Sequence, residues 1–388
     1  MKNMVIMGAT GSVGQAALDI LRKQGADQVL ALASKNNAQA LLPLIEEFLP
    51  SYAVLFEADA AARLQMLIAQ KHIPCRVLSG EEGLKTVATL PESEVVVAAI
   101  AGSAGLISTY YAAKAGKRIL IANKESLVMA GAIFKSVCAE SGAQLIPIDS
   151  EHNAIFQLLP QGLGVSLHEQ GVCKIILTAS GGPFLKRDPA SLHHVTPKEA
   201  ANHPNWRMGM KISIDSATMM NKGLELIEAF WLFGAAPEEL EVLVHPQSIV
   251  HGLIELIDGS VLCQAAVPDM RIPIAYALSW PKRLDMRMSP LNLAKIGRLD
   301  FMAPDLDRFP CLRLAKEALH NGPWASCALN AANEVAVSAF IEEKIAFTDI
   351  PGVIEKTLAA LAPQTLDRID DVLEVDKKAR FCAQEFLP

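Results

Sequence analysis

Three carboxylates, Asp149, Glu151 and Glu225, are the side chains whose types and placement best suit a chemical task. Asp149-Ser150-Glu151 follows the β-rich run Gln144 to Ile148, and Glu225 lies in a helical pattern from Asp215 to Leu232. On such a helix Asn221 and Lys222 stand four and three residues before Glu225, so the three side chains can share a face. Carboxylates flanked by hydroxyl and amide oxygens suit a hard divalent cation, Mg²⁺ or Mn²⁺ with Co²⁺ as a further candidate, which leaves positions for a substrate's oxygens. No Cys-rich or His-x-x-x-His pattern competes for a metal. Plainer readings exist: Asp149 as the cap of a helix beginning near Glu151, and Glu225 with Lys222 as a surface helix pair.

A second constellation suits an anion. Leu177-Thr-Ala-Ser180-Gly181-Gly182-Pro183 ends a strand-like run with a hydroxyl and two glycines, whose backbone N–H groups could cradle a phosphate. Ser216, Asn221 and Lys222 could supply the remaining donors. A purely structural loop is the alternative. His203-Pro-Asn-Trp206-Arg-Met208-Gly209-Met210 places Trp and Met in a polar, Gly-containing loop, which suits a lid that excludes water or, more plainly, a loop packed on its own domain. His203 is read as a ligand-binding side chain, and His152, His245 and His251 as structural.

A third constellation opens the chain. Gly8-Ala-Thr10-Gly11-Ser12-Val13-Gly14 joins a strand-like run to a helical one, placing glycines where a tight turn and close approach of a pyrophosphate need them. A plain βα turn is the alternative, since a glycine triplet alone is weak evidence. After the next strand come Ser34-Lys35-Asn36-Asn37, where NAD enzymes carry an acidic residue for the ribose 2′-hydroxyl. A cation with amide donors suits a 2′-phosphate, so NADPH is expected, with Lys35 a main determinant.

The elements that must position these groups are legible as alternation. Strands are expected at Asn3–Met7, Gln28–Ala33, Tyr52–Leu55, Glu94–Ile100, Arg118–Ala122 and Gln144–Ile148, with helices at Val13–Lys23, Ala60–Lys71, Ile107–Ala115 and Met129–Ser141. This is the pattern of a doubly wound, Rossmann-like α/β domain with a parallel sheet, over residues 1–149. Ligands bind beyond the carboxyl ends of such strands, where Asn123-Lys124-Glu125 and Asp149-Ser150-Glu151 fall. Residues 150–281 read as a second, central α/β catalytic domain with a hairpin at Asp258-Gly259, 282–310 as a connecting segment, and 311–388 as a C-terminal helical bundle.

Composition narrows the partners. A net charge of −7 without a basic run argues against nucleic acid or an anionic membrane. Seven scattered cysteines, never Cys-x-x-Cys, suit reduced thiols in the cytoplasm. The first strand begins too near Met1 for a signal peptide, and the apolar stretch Val95–Ile107 is too short and Gly-rich to span a membrane.

Taken together the motifs resemble the 1-deoxy-D-xylulose 5-phosphate reductoisomerase family. The resemblance rests on Gly8 to Gly14, Ala122-Asn-Lys-Glu-Ser-Leu-Val128, Asp149-Ser-Glu-His-Asn-Ala-Ile-Phe-Gln157, Ser180-Gly-Gly-Pro-Phe184, His203-Pro-Asn-Trp206, Lys211 to Glu225, His245-Pro-Gln-Ser248, Pro268-Asp-Met270 and Ala328-Leu-Asn-Ala-Ala-Asn-Glu334, in the expected order. It implies NADPH at Thr10, Gly11, Ser12 and Val13 and around Ser34, Lys35 and Asn36, with Asn123, Glu125 and Gly209 also near the cofactor. It implies a metal on Asp149, Glu151 and Glu225, and substrate contacts from Lys124, Ser150, Glu151, Ser180, His203, Ser216, Asn221, Lys222 and Glu225, under a lid carrying Trp206 and Met208. The implied enzyme is a homodimer that rearranges 1-deoxy-D-xylulose 5-phosphate and reduces the product with NADPH to 2-C-methyl-D-erythritol 4-phosphate, in the non-mevalonate isoprenoid pathway. Lys124, Asp149, Glu151 and Glu225 are its implied catalytic groups. Ala9, Val13, Ser34, Arg207 and Met210 depart from the family's commoner residues. Two rivals follow from the residues alone: a semialdehyde-type dehydrogenase with a Cys nucleophile, and a non-catalytic NADPH sensor.

Overall fold

Apolar runs of four to seven residues alternate with helices through the first 147 residues, and the computed structural model, which describes residues 2–25, 28–206 and 208–388, shows what they build. In chain order they are β1 (Asn3–Met7), α1 (Ser12–Gln24), β2 (Gln28–Ser34), α2 (Ala38–Phe48), β3 (Tyr52–Leu55), α3 (Ala58–Gln70), β4 (Arg76–Ser79), α4 (Gly80–Ala88), β5 (Val95–Ala98), α5 (Leu106–Lys114), β6 (Arg118–Ile121), α6 (Lys124–Ser141) and β7 (Gln144–Pro147). The sheet runs β4-β3-β2-β1-β5-β6-β7, and every pair is parallel. Its central strands are buried along their length, as a sheet covered on both faces requires. Strand order reverses between β1 and β5, the switch point where such sheets bind ligands.

Three elements went unrecognised in the sequence. Pro43 interrupts the helical pattern of α2, β4 is a short, partly exposed edge strand, and α4 is only nine residues long. The helix expected from Met129 begins at Lys124, because Asn123 caps it, and it kinks at Ala130.

The rest of the chain forms α7 (Ser150–Leu158), β8 (Val172–Ala179), α8 (Pro197–Ala200), α9 (Met210–Ala217), α10 (Met220–Phe233), β9 (Leu240–Val244), β10 (Val250–Leu256), β11 (Val261–Ala265), α11 (Arg271–Ser279), α12 (Leu293–Ile296), α13 (Pro310–Asn321), α14 (Pro323–Ile341), α15 (Ile350–Ala360) and α16 (Ile369–Glu385). A mixed sheet runs β11-β10-β8-β9. The β10–β11 hairpin turns at Asp258-Gly259, with Gly259 at φ 82°. The single helix expected over Asp215–Leu232 is two, separated at Thr218 and Met219, the latter in the left-handed region at φ 60°.

Two compact units emerge, and they do not follow the four expected segments. The first holds Met1–Ser126, Phe134–Asp149 and Asp269–Met288; the second holds Leu127–Ile133, Ser150–Pro268 and Ser289–Pro388. Asp269–Met288 joins the first unit because α11 packs on α1, Lys2 Nζ donates to Leu278 O at 2.8 Å, and the Arg118 guanidinium lies over the Trp280 ring. Helices α13 to α16 share one apolar core with α9 and α10, in which Leu224, Ile227, Leu314, Leu329 and Ile354 are buried. Among the described residues no helix is long and apolar enough to cross a membrane.

Candidate active site

In the first unit, the loop after β1 is shaped by contacts that only glycine permits. A Cβ on Gly8, at φ 85°, would stand 2.3 Å from Ala99 O, and one on Gly14 would stand 2.3 Å from Gly8 O. The N–H groups of Gly8 and Ala9 both donate to Ala33 O, which ties the loop to β2. Gly11 then caps α1 without a side-chain hydrogen bond, and Ser12 is exposed in the first turn. A helix N-terminus presented this way favours an anion. Thr10 Oγ1 and Ser34 Oγ are 2.6 Å apart, so the unusual Ser34 is joined directly to the glycine loop. Lys35 and Asn36 are exposed beyond β2; Asn36 Nδ2 donates to Glu57 Oε1 at 3.0 Å. Asn37 is occupied as the cap of α2.

Asn123 is spent on structure. Its Nδ2 donates to Ile100 O and to Gly102 O, and its Oδ1 accepts from Ser126 N and Ser126 Oγ. An amide has two donors and two lone pairs, and these four contacts engage them. Glu125 is buried in the first turn of α6. Lys124 Nζ meets Asp149 Oδ2 at 2.6 Å, with the two side chains 10% and 21% exposed, so this pair sits beyond the carboxyl ends of β6 and β7.

In the second unit, Glu151 and Glu225 converge on Lys222. The ammonium donates to Glu151 Oε1 at 2.8 Å and also to Glu225 Oε2. Asn221 Nδ2 donates to Glu225 Oε1, and Ser150 Oγ to Glu151 Oε2. Lys222 and Glu225 side chains are 4% and 0% exposed. Burial works against the Lys222 ammonium, but Glu151 and then Glu225 outweigh it and hold its pKa above the ordinary value. The shared face anticipated for Asn221, Lys222 and Glu225 therefore exists, as a buried cluster rather than a surface pair. Two carboxylates against one ammonium leave a negative excess lined by oxygens, a donor set that fits a hard divalent ion. Behind it, His152 Nε2 contacts Glu225 O at 2.9 Å, and its ring stacks on Phe233.

The second cluster in this unit is Ser180 with His203. His203 Nδ1 accepts the backbone N–H groups of Trp206 at 2.9 Å and Asn205 at 3.2 Å. A neutral imidazole must then carry its proton on Nε2, which donates to Ser180 Oγ at 2.8 Å. Burial pushes the His203 pKa down, opposed by Glu151, which favours that neutral form. Gly182 N also donates to Ser180 Oγ at 3.1 Å. The hydroxyl thus accepts twice and has its own proton to give to a ligand oxygen. Ser216 is half-buried at the end of α9, apart from the helix that carries Lys222.

The loop after His203 is pinned on one side. Asn205 Nδ2 donates to Pro246 O and Ser248 Oγ, both at 2.8 Å, and the Trp206 ring meets His251 edge-on. Met208 is half-buried and Gly209 exposed as the cap of α9; Arg207 lies outside the described residues. Asn205 and Ser248 escaped sequence reasoning because their contact depends on two distant loops meeting, while His251, read as structural, packs against Trp206. The loop from Ala99 to Gly102 escaped it too: it flanks the glycine loop only because β5 pairs with β1. No cysteine joins either cluster, and burial pushes the thiols of Cys75 and Cys138 up to about 11 and that of Cys311 to about 12. Thiols so raised are poor nucleophiles at neutral pH.

Comparison with known proteins agrees across the chain. Residues 4–131 match the family model for 1-deoxy-D-xylulose 5-phosphate reductoisomerase, 145–233 that for its C-terminal domain, and 265–382 a further DXP reductoisomerase C-terminal domain. The chain is 51% identical to 1-deoxy-D-xylulose 5-phosphate reductoisomerase of Nitrosospira multiformis and 52% identical to that of Methylobacillus flagellatus, with all of this chain and 98% of each relative covered. It superposes with TM-score 0.96 and 46% identity on a crystal structure of DOX-P reductoisomerase in complex with NADPH, fosmidomycin and magnesium. The Zymomonas mobilis enzyme in complex with NADPH gives 0.91 at 42% identity, and both structures cover 99% of this chain with 98% of their own length aligned.

Proposed function

The chain belongs to the 1-deoxy-D-xylulose 5-phosphate reductoisomerase family, and from that premise we propose how its own residues divide the reaction among them. The protein is an NADPH- and divalent-metal-dependent enzyme that converts 1-deoxy-D-xylulose 5-phosphate in isoprenoid biosynthesis. The observation that carries the assignment of roles is the buried cluster in which Lys222 holds Glu151 and Glu225 together.

Asp149, Glu151 and Glu225 hold the divalent ion, Asp149 being only two residues from Glu151 along the chain. When bound, the ion polarises a ketone and stabilises oxyanions as the carbon skeleton rearranges. Asn221 and Lys222 orient the Glu225 carboxylate and, with Ser180 and Ser216, receive the substrate's phosphate, while His203 at its edge holds the Ser180 hydroxyl toward it. The Ser180 proton, left over after that hydroxyl accepts from His203 and Gly182, is the one donated. Lys124 steadies negative charge beside the reacting oxygens, and Trp206 with Met208 keeps water out before hydride arrives. The loop from Thr10 to Val13 and the Ala99–Gly102 loop at the switch point would hold NADPH, and Lys35 would recognise its 2′-phosphate. Bound there, NADPH would supply the hydride that reduces the rearranged aldehyde to 2-C-methyl-D-erythritol 4-phosphate.

The enzyme works in the cytoplasm as a homodimer. All seven cysteines are free, as in a reducing compartment. Edge strand β11 exposes Val261 and Leu262 at 52% and 42%, with Ile257 at 73% in the preceding turn, an apolar edge suited to pairing with a second copy. Sedimentation should give twice the chain mass, and Leu262→Lys should shift it toward one.

The decisive assay follows NADPH absorbance with 1-deoxy-D-xylulose 5-phosphate after chelation and again with Mg²⁺ or Mn²⁺ restored. Oxidation should appear only with metal; turnover that survives chelation would remove the carboxylates' role.

A further inference from the structure

Two elements grip the last turn of α9, which carries Ser216. From the strand side, a Cβ on Gly182 would stand 2.7 Å from Ser216 O and 3.0 Å from Ala217 Cα, so the Ser180–Gly182 loop lies directly on the backbone of that turn. From the helical side, Asp215 is buried beside Ser216, and its Oδ1 accepts a hydrogen bond of 2.8 Å from Asn333 Nδ2 of α14. Its Oδ2 pairs with Lys211 Nζ at 2.9 Å on its own helix.

α9 has eight residues and no side-chain cap hydrogen bond, so it has little stability of its own, and its position is set by what holds it. α14 is a stiff anchor: its core face is buried, and Glu334 is joined to Arg380 of α16 at 2.6 Å. Asn333 is fully buried, and its Oδ1 has no hydrogen-bond partner among the described residues. The amide is therefore turned to serve Asp215 at the expense of its own carbonyl, an orientation that the carboxylate dictates. An apolar residue would fill the same space without leaving that group unpaired.

The structure assigns Asn333 as a positioning residue: acting through Asp215, it fixes the last turn of α9 against the Ser180–Gly182 loop and so sets the spacing of the two hydroxyls, Ser180 and Ser216, that receive the substrate's phosphate. This rests on the reading of Ser216 as a phosphate contact given above. Asn333 touches no substrate, and its effect falls on the affinity for the phosphorylated sugar, not on the cofactor.

The test is steady-state kinetics of the full chain with Mg²⁺, comparing Asn333→Ala and Asn333→Ser with Ser216→Ala and with Asn330→Ala. Asn330 is equally buried on α14 but bonds Glu334 rather than α9. Both Asn333 variants should raise KM for 1-deoxy-D-xylulose 5-phosphate about tenfold, as a small misplacement of binding groups does, while KM for NADPH stays unchanged and kcat falls less than about threefold. Asn330→Ala, matched for loss of Tm, should move neither KM. If Ser216→Ala leaves the substrate KM unchanged, the phosphate reading of Ser216 fails. If Ser216→Ala raises it and the folded Asn333 variants do not, the positioning inference fails alone. Equal rises in both KM values, the same change in Asn330→Ala, or failure of both Asn333 variants to fold would each make Asn333 a purely structural residue and overturn the assignment.

Discussion

Beyond β1 the groups offered to a ligand are backbone N–H groups and small hydroxyls, held by glycine contacts, with Lys35 free in solvent at the margin. Around Lys222 they are charges, buried and paired with one carboxylate in excess, and Glu225 is fully out of water. The first arrangement owes its form to chain geometry, so changing a side chain there should alter recognition and leave stability nearly intact. The second depends on charge balance, so changing a side chain there should disturb binding, chemistry and stability together.

Glu225→Gln should have the largest effect, lowering metal-dependent turnover by at least about 10²-fold, because it removes a charged ligand and its bond to Lys222. NADPH affinity, measured by fluorescence titration, should change little; equal losses in both would mean that the two regions are not independent. Lys222→Met should follow, destabilising the protein by about 3–5 kcal/mol in urea unfolding, since it leaves buried Glu225 without its cation. Added Mg²⁺ should recover part of that loss. A loss below about 1 kcal/mol would place the pair among surface ion pairs and break the comparison. Lys35→Asp should shift preference from NADPH toward NADH by about tenfold, roughly the loss of one charge-assisted contact, with unfolding free energy within about 0.5 kcal/mol of the parent. An unchanged cofactor preference would make Lys35 a solvated loop residue.

The same contrast decides how much was legible in the sequence. The parallel sheet and the glycine loop were, because periodicity and glycine spacing are local signals: β1 and β3 have the expected bounds, and Gly8 and Gly14 meet the backbone where a tight turn needs them. The face shared by Asn221, Lys222 and Glu225 was legible as helical spacing, but its burial was not, since that depends on α7 and the C-terminal helices packing on α10. The break at Met219 was hidden because a left-handed residue other than Gly or Asn leaves no trace in composition. Asn123 looked like a ligand residue from its place after β6, and only the meeting of that turn with Gly102 showed its amide fully engaged. Contacts made by chain-distant loops, such as Asn205 with Ser248, are invisible to spacing altogether.

The smallest expected effect concerns pH and separates the two units by their buried histidines. The first unit holds one of the nine histidines, His72, whereas the second holds His203 and His251, whose pKa values are both pushed below the ordinary 6.5 by burial, with Glu151 opposing in each case. Lys222 and His245 also face His251 and push it further down. A depressed histidine is neutral in both folded and unfolded chains above pH 6.5, so its full contribution to stability is present there. As pH falls below that value the unfolded chain takes up protons first, and stability is lost progressively through the lowered folded values. Hydrogen exchange should therefore show protection falling between pH 7 and pH 5.5 in the second unit before the first, over a range well above that in which carboxylates protonate. The double variant His203→Gln/His251→Gln should flatten that dependence. If protection in the first unit falls equally early, the two regions share one pH response, and the contrast between a site built on backbone and one built on buried charge does not extend to their stability.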